Sequence, residues 1–196
     1  MSDSVSYVVK KETKRCFDEG MKADLFTREK IETLLGGKCY QSTIAEDTKK
    51  HVDFWWDAPN GKRYGIDVKD SRKNKRTDSD KDYSITWLEI QNVGGKPGWI
   101  YGEEDYIVFK TDSKLLFVKR EQLAYFAETK YNEYISSGKN IVYDTPQECY
   151  VPYQRAKWGR KDIAFKAYMK DLEEISHFYI NFVTNEVFTF NKSAAK

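Results

Sequence analysis

Asp53, Asp67 and Lys69 are the residues whose types and spacing speak most directly of chemistry. Thirteen residues separate the two aspartates, and one separates Asp67 from Lys69. Val52, Phe54 and Trp56 alternate with His51, Asp53 and Trp55, and Tyr64, Ile66 and Val68 alternate with Gly65, Asp67 and Lys69. A period of two predicts strands with one buried face, leaving the two aspartates and the lysine together on the other. Like charges directly opposed across a sheet are destabilising, so facing carboxylates call for a cation between them. Oxygen ligands suit a hard divalent ion, Mg2+ with Mn2+ as a substitute, completed by water and phosphate. With the Lys69 charge alongside, the set suits hydrolysis of a phosphodiester. A salt bridge in which Lys69 neutralises both aspartates is the plain structural alternative.

The element that must position these residues is a hairpin over residues 51–69. Ala58-Pro59-Asn60-Gly61 suits a type I turn, with Pro at the second position and Gly at the fourth. A three-residue loop closed by a glycine bulge makes paired residue numbers sum to 120. Asp53 is then expected opposite Asp67, and His51 opposite Lys69. A two-residue Asn-Gly loop would sum to 121 and throw the aspartates onto opposite faces. Pro59 favours the first register. His51 reads first as a packing or hydrogen-bonding residue.

Two basic stretches flank this unit. Residues 70–82 are polar and aperiodic and carry Arg72, Lys73, Lys75 and Arg76. They read either as a solvated connection or as a loop gripping phosphates beside Lys69. Arg155, Lys157, Arg160 and Lys161 surround Trp158, a mixture suited to a nucleic-acid backbone or to an ordinary solvated segment. Glu89 and Gln91, in the alternating stretch 84–91, are candidate outer contacts on the Asp67 face or an exposed edge.

Composition bounds the rest. The chain has 196 residues, 15% aromatic and 33% charged, which fits one globular domain with a substantial core. Net charge is only +2, so a nucleic-acid partner must be met by local patches. Cys16, Cys39 and Cys149 form no CxxC pair, which argues against a zinc site or a disulfide framework. With neither a signal-peptide core nor an apolar run long enough to span a bilayer, the expectation is a cytoplasmic protein without a membrane partner.

Along the chain, residues 7–35 read as helical, in two pieces broken near Gly20, with Gly36-Gly37 as the stop. Residues 38–50 read as a strand and loop. Residues 94–102 form a Gly/Pro-rich loop in which Trp99 and Tyr101 either anchor to the core or stack on bases. Residues 105–110 and 114–119 make a second hairpin, 121–135 a helix with Leu123, Phe126, Ala127 and Tyr134 packing, and 161–175 a further helix. A last hairpin turns at Thr184–Asn185.

The arrangement Asp53, thirteen residues, Asp67-x-Lys69 resembles the PD-(D/E)xK nuclease superfamily. HVDFWW, YGIDVK, TWLEIQNVGGKPGWIYG and DYIVF together resemble phage- and virus-encoded members with HIDFW, DVK and WxExxNxxGxxGW segments. The likeness covers roughly residues 20–120. Val52 stands where the family label has proline, and Asp67 where Glu is commoner.

The resemblance implies an α/β fold, a restriction-endonuclease-like mixed central β-sheet flanked by helices. It makes 1–196 one domain, with a core over about 7–130 and a C-terminal helix plus β-hairpin extension over 131–196. The implied activity is that of an Mg2+-dependent endonuclease, acting on double-stranded DNA first, in the host cytoplasm. Asp53 and Asp67 would hold metal with the Val68 carbonyl, and Lys69 would orient the attacking water. Asp24 would be the acidic residue of the first helix, with Glu29 and Glu32 as competitors. Glu89, Gln91 and His51 would support the site. Arg72, Lys73, Lys75, Arg76, Arg155, Arg160 and Lys161 would meet the nucleic acid. Relatives that cut both strands often do so as homodimers. The alternative is a catalytically silent module of the same fold that binds nucleic acid or protein.

Overall fold

A computed structural model describes residues 2–70, 82–154 and 159–190, with side chains from residue 18 onward. The basic residues Arg72, Lys73, Lys75, Arg76 and Arg155 lie outside it.

The chain is a mixed α/β protein. Helix α1, Ser2–Leu34, runs unbroken through Gly20. A glycine within a helix costs only about 1 kcal/mol relative to Ala, so the expected break does not occur. Strand β1 spans Lys38–Gln41. Helix α2, Ile44–Lys50, stands where a loop was expected. Its cap explains it: Thr43 Oγ1 accepts from the Glu46 amide while the Glu46 carboxylate accepts from the Thr43 amide. His51 ends this helix in the left-handed region at φ 58°, so it is a helix cap and not a strand residue paired with Lys69.

Strands β2 (Phe54–Asp57) and β3 (Arg63–Asp70) form the central hairpin. The partners are Phe54 with Ile66, Trp55 with Gly65, Trp56 with Tyr64 and Asp57 with Arg63, the register that Pro59 and Gly61 favoured. The Gly61 amide donates to the Ala58 carbonyl at 3.0 Å, and the Ala58 amide to the Lys62 carbonyl at 2.9 Å. Gly61 takes φ +80°, a conformation that costs an L-residue about 1–2 kcal/mol.

The main sheet has seven strands in the order β1-β2-β3-β5-β6-β9-β10. Strands β5 (Tyr106–Lys110) and β6 (Lys114–Lys119) form the expected second hairpin. β3 and β5 are parallel, with Asp67 beside Ile107 and Lys69 beside Phe109, and every other neighbouring pair is antiparallel. β9 (Phe178–Asn181) pairs with β6, and β10 (Glu186–Thr189) with β9, so the last hairpin extends the main sheet.

A second sheet has the order β4-β8-β7, from Ile85–Gln91, Ile163–Tyr168 and Tyr153–Gln154. The helix expected over 161–175 is therefore strand β8 followed by the short helix α4, Met169–Ile175. Its run of apolar residues fits either period. Pairing of Leu88 with Phe165, and of five further residue pairs along β4, decides for strand.

The core has two parts. On one side of the main sheet, Ala23 and Ile31 of α1 pack with Phe54, Ile66, Val68, Val108 and Phe117. On the other, Ile107, Phe109, Leu116 and Val118 meet Leu123 and Ala127 of α3 (Arg120–Ser136), Leu172 of α4, and Leu88 and Phe165 of the second sheet. Among the described residues no helix is long and apolar enough to cross a membrane.

Candidate functional site

The site grows from β3. Ile66 and Val68 pack in the α1-side core, and alternation leaves Gly65, Asp67 and Lys69 on the opposite face. Asp67 is 2% exposed. The Lys69 ammonium lies 2.7 Å from both of its oxygens. It donates a directed hydrogen bond to Oδ1, while Oδ2 is buried without a hydrogen-bond partner. Trp99 closes the other side of Lys69, its ring centroid 4.7 Å from Nζ. Trp99 belongs to a short 3-10 turn, Trp99–Tyr101, packed on the core, so it anchors the loop and faces the lysine at once.

Asp53 reaches this group differently from the strict pairing expected. The ladder begins at Phe54, and the Asp53 amide donates at 2.8 Å to Ile66, the residue that also faces Phe54. Two residues thus oppose one, a bulge that redirects the Asp53 side chain. Its Oδ2 accepts from the Val68 amide at 2.7 Å, which sets the carboxyl beside the Asp67–Lys69 segment. The Val68 amide is thus committed to Asp53, a group distinct from the Val68 carbonyl that the resemblance makes a metal ligand.

Asp24 comes from α1. Of the competing acids, Glu32 is taken by the Cys39 amide at 2.7 Å, and Glu29 is exposed. Burial, then the charge of Asp67, raises the Asp24 carboxyl to about 6. The Asp53 carboxyl is raised well above the carboxylate range by burial first, then by Asp67. Burial also pulls His51 below its ordinary value, against the opposing pull of Asp67.

Glu104, which spacing did not single out, joins them. It is 2% exposed, and neither carboxylate oxygen is hydrogen-bonded to another described residue. Burial raises it to about 8, its own amide offering partial compensation, and among the charges Asp67 repels it while Lys69 and Arg120 attract it. The only signal in the sequence is the acidic run Glu103-Glu104-Asp105 just before the apolar run of β5. What brings it to Asp67 is the parallel β3–β5 pairing, which no local pattern announces.

Glu89 and Gln91 lie on β4 of the second sheet, a strand with no pairing to β3. Gln91 Nε2 donates to the Lys161 carbonyl, and Glu89 acts electrostatically on Arg160. Arg160 is paired with Asp162 at 3.0 Å, and Lys161 is exposed.

These residues suit a hard divalent cation better than a soft one. The donors are carboxylates, among which Asp67 Oδ2 and both Glu104 oxygens are buried without a hydrogen bond from another residue, and no cysteine is among them. Among the described residues no three Asp, Glu, His or Cys side chains stand ready to hold an ion by themselves. The fit is to an ion carrying most of its own water, held by one or two carboxylates. Protein-family models, curated proteins and solved structures offer no match to the chain, so the functional reading rests on this geometry.

Proposed function

We propose that the chain is an Mg2+-dependent endonuclease that hydrolyses phosphodiester bonds, with double-stranded DNA as its substrate and a restriction-endonuclease-like arrangement of the sheet. The observation that carries the reading is the buried Asp67–Lys69 pair with the Asp53 carboxyl held beside it by the Val68 amide, Asp24 feeling the Asp67 charge from α1. Burying more carboxylates than a single lysine can neutralise is costly unless protons or a cation balance them. The mixed sheet, preceded by a helix that contributes an acid, agrees with the resemblance read from the motifs.

Asp53 and Asp67 would hold the cation, with Asp24 at the rim. A bound divalent ion supplies polarisation of the phosphate and a lowered pKa for attacking water. Lys69, fixed between Asp67 and Trp99, directs an N–H toward the phosphate or the water and offsets the charge that builds on the phosphoryl oxygens. Asp53 is held in place by the Val68 amide, so its free edge is presented without a rotamer search. Until a cation binds, protons on Asp24 and Asp53 relieve the crowding of charge.

The Lys69–Asp67 ion pair also favours a second reading, a silent nucleic-acid-binding module in which the pair is only structural. Incubation with defined duplex, nicked, branched and single-stranded substrates in Mg2+, Mn2+ and EDTA separates the two. Cation-dependent cleavage of duplex DNA is expected. Binding without cleavage under every condition would support the silent module.

A further inference from the structure

We infer that Glu104 is a further acidic residue of the cation site, contributing an oxygen contact to the same hydrated divalent ion as Asp67. This rests on the cation-binding reading above and extends it to a residue outside the Asp-x-Lys pattern.

Three observations of geometry carry it. The chain reaches Glu104 by crossing β3 on the face that bears Asp67. A Cβ built on Gly65 would stand 3.4 Å from the Glu104 Cα, and Gly65 is two residues from Asp67 on that face. The carboxyl is then folded inward: a Cβ on Gly102 would stand 2.0 Å from Glu104 Oε2 and 2.8 Å from the Lys50 carbonyl. Glycine at 102 thus makes room for a buried acid. Finally, Glu104 is 2% exposed with neither oxygen hydrogen-bonded to another residue, while the buried Asp67 shares the single Lys69 ammonium, 2.7 Å from both of its oxygens.

A buried carboxyl that serves the fold is normally satisfied by donors or by an ion pair. Among the described residues Glu104 has no ion pair and no donor other than its own amide. Arg120, the guanidinium that attracts it, pairs with Glu121 at 3.6 Å, and Lys50 pairs with Glu103 at 2.9 Å. A buried carboxyl with no partner in another residue, close to an Asp67 that has only one lysine to balance it, is what an oxygen-binding cation would satisfy.

Mn2+ binding to the full chain, followed by electron paramagnetic resonance, tests this without reference to activity. Four proteins are compared: wild type, Glu104→Gln, Asp67→Asn and Glu103→Gln, the last an exposed neighbour. Circular dichroism checks that each is folded. The expected result is Mn2+ binding by wild type and Glu103→Gln, loss in Asp67→Asn, and affinity weaker by about 10–100-fold in Glu104→Gln. Glu104→Asp, which keeps the charge but shortens the reach, is expected to fall between wild type and Glu104→Gln, and it serves in place of the amide if that variant does not fold. Binding by these Glu104 variants equal to wild type, with Asp67→Asn still defective, overturns the role of Glu104 alone. Absence of any Asp67-dependent Mn2+ site overturns the cation reading itself, and the inference with it.

Discussion

Lys69 stands between an anion and an aromatic face, with Asp67 at 2.7 Å and the Trp99 ring centroid at 4.7 Å. A cation over an indole face gains about 0.5–2 kcal/mol, and the contact also limits where the ammonium points. Trp99→Leu is expected to slow cleavage by about tenfold while leaving Mn2+ affinity unchanged, with Trp99→Phe closer to wild type. Single-turnover kinetics and Mn2+ titration measure both. Asp53 offers the opposite trade. Because burial and Asp67 disfavour its charged form, Asp53→Asn is expected to raise Tm near neutral pH while reducing cleavage by about 100-fold or more. Asp67 and Lys69 were legible together because strand period is local, whereas Asp53 precedes its strand and reaches them through the Val68 amide rather than by the pairing its spacing suggested. The nearness of Trp99 to Lys69 and of Glu104 to Asp67 was not legible, because only tertiary packing and a parallel strand pair bring them there.

At the scale of elements, the central hairpin was readable because its turn is chemically explicit. Pro59 and Gly61 selected the register, and Gly61 has φ +80° with no heavy atom within 4 Å of a Cβ built there. Gly61→Ala is therefore expected to cost about 1–2 kcal/mol through backbone conformation alone, read as a shift in the urea midpoint with unchanged slope. Helix α2 was legible in principle, since Thr43 and Glu46 have capping-box spacing, but one turn pair of polar residues was outweighed by the absence of an apolar stripe. Residues 163–168 show the reverse. Their apolar spacing satisfied a helix, and pairing with β4 overrode it. Phe165 is fully buried in that strand, so Phe165→Ala is expected to cost about 3–5 kcal/mol by urea denaturation.

For the whole molecule, the buried acids link stability to pH and to cations. Asp24 and Glu104 are raised from 3.8 and 4.5 to about 6 and about 8 in the folded chain. The native state therefore holds more protons than the unfolded chain between those limits. Stability from these groups is full below about pH 4 and is lost as pH rises toward about 8. Tm in EDTA is expected to contain this fall between about pH 5 and pH 8, and Glu104→Gln to flatten it. Saturating Mg2+ is expected to raise Tm most at the alkaline end, where the carboxylates are charged, because a ligand of the native state stabilises it by mass action. Differential scanning calorimetry across this range measures all three.

The most direct measurement is cleavage of supercoiled and linear duplex DNA in Mg2+ and in EDTA by wild type, Asp67→Asn and Lys69→Ala, with DNA binding followed in parallel. Wild type is expected to cut only with Mg2+, and both variants to lose cleavage by about 100-fold or more while still binding DNA. Cleavage that persists in EDTA, or that survives both substitutions at the wild-type rate, would contradict the account of Asp67 and Lys69 as the centre of the site.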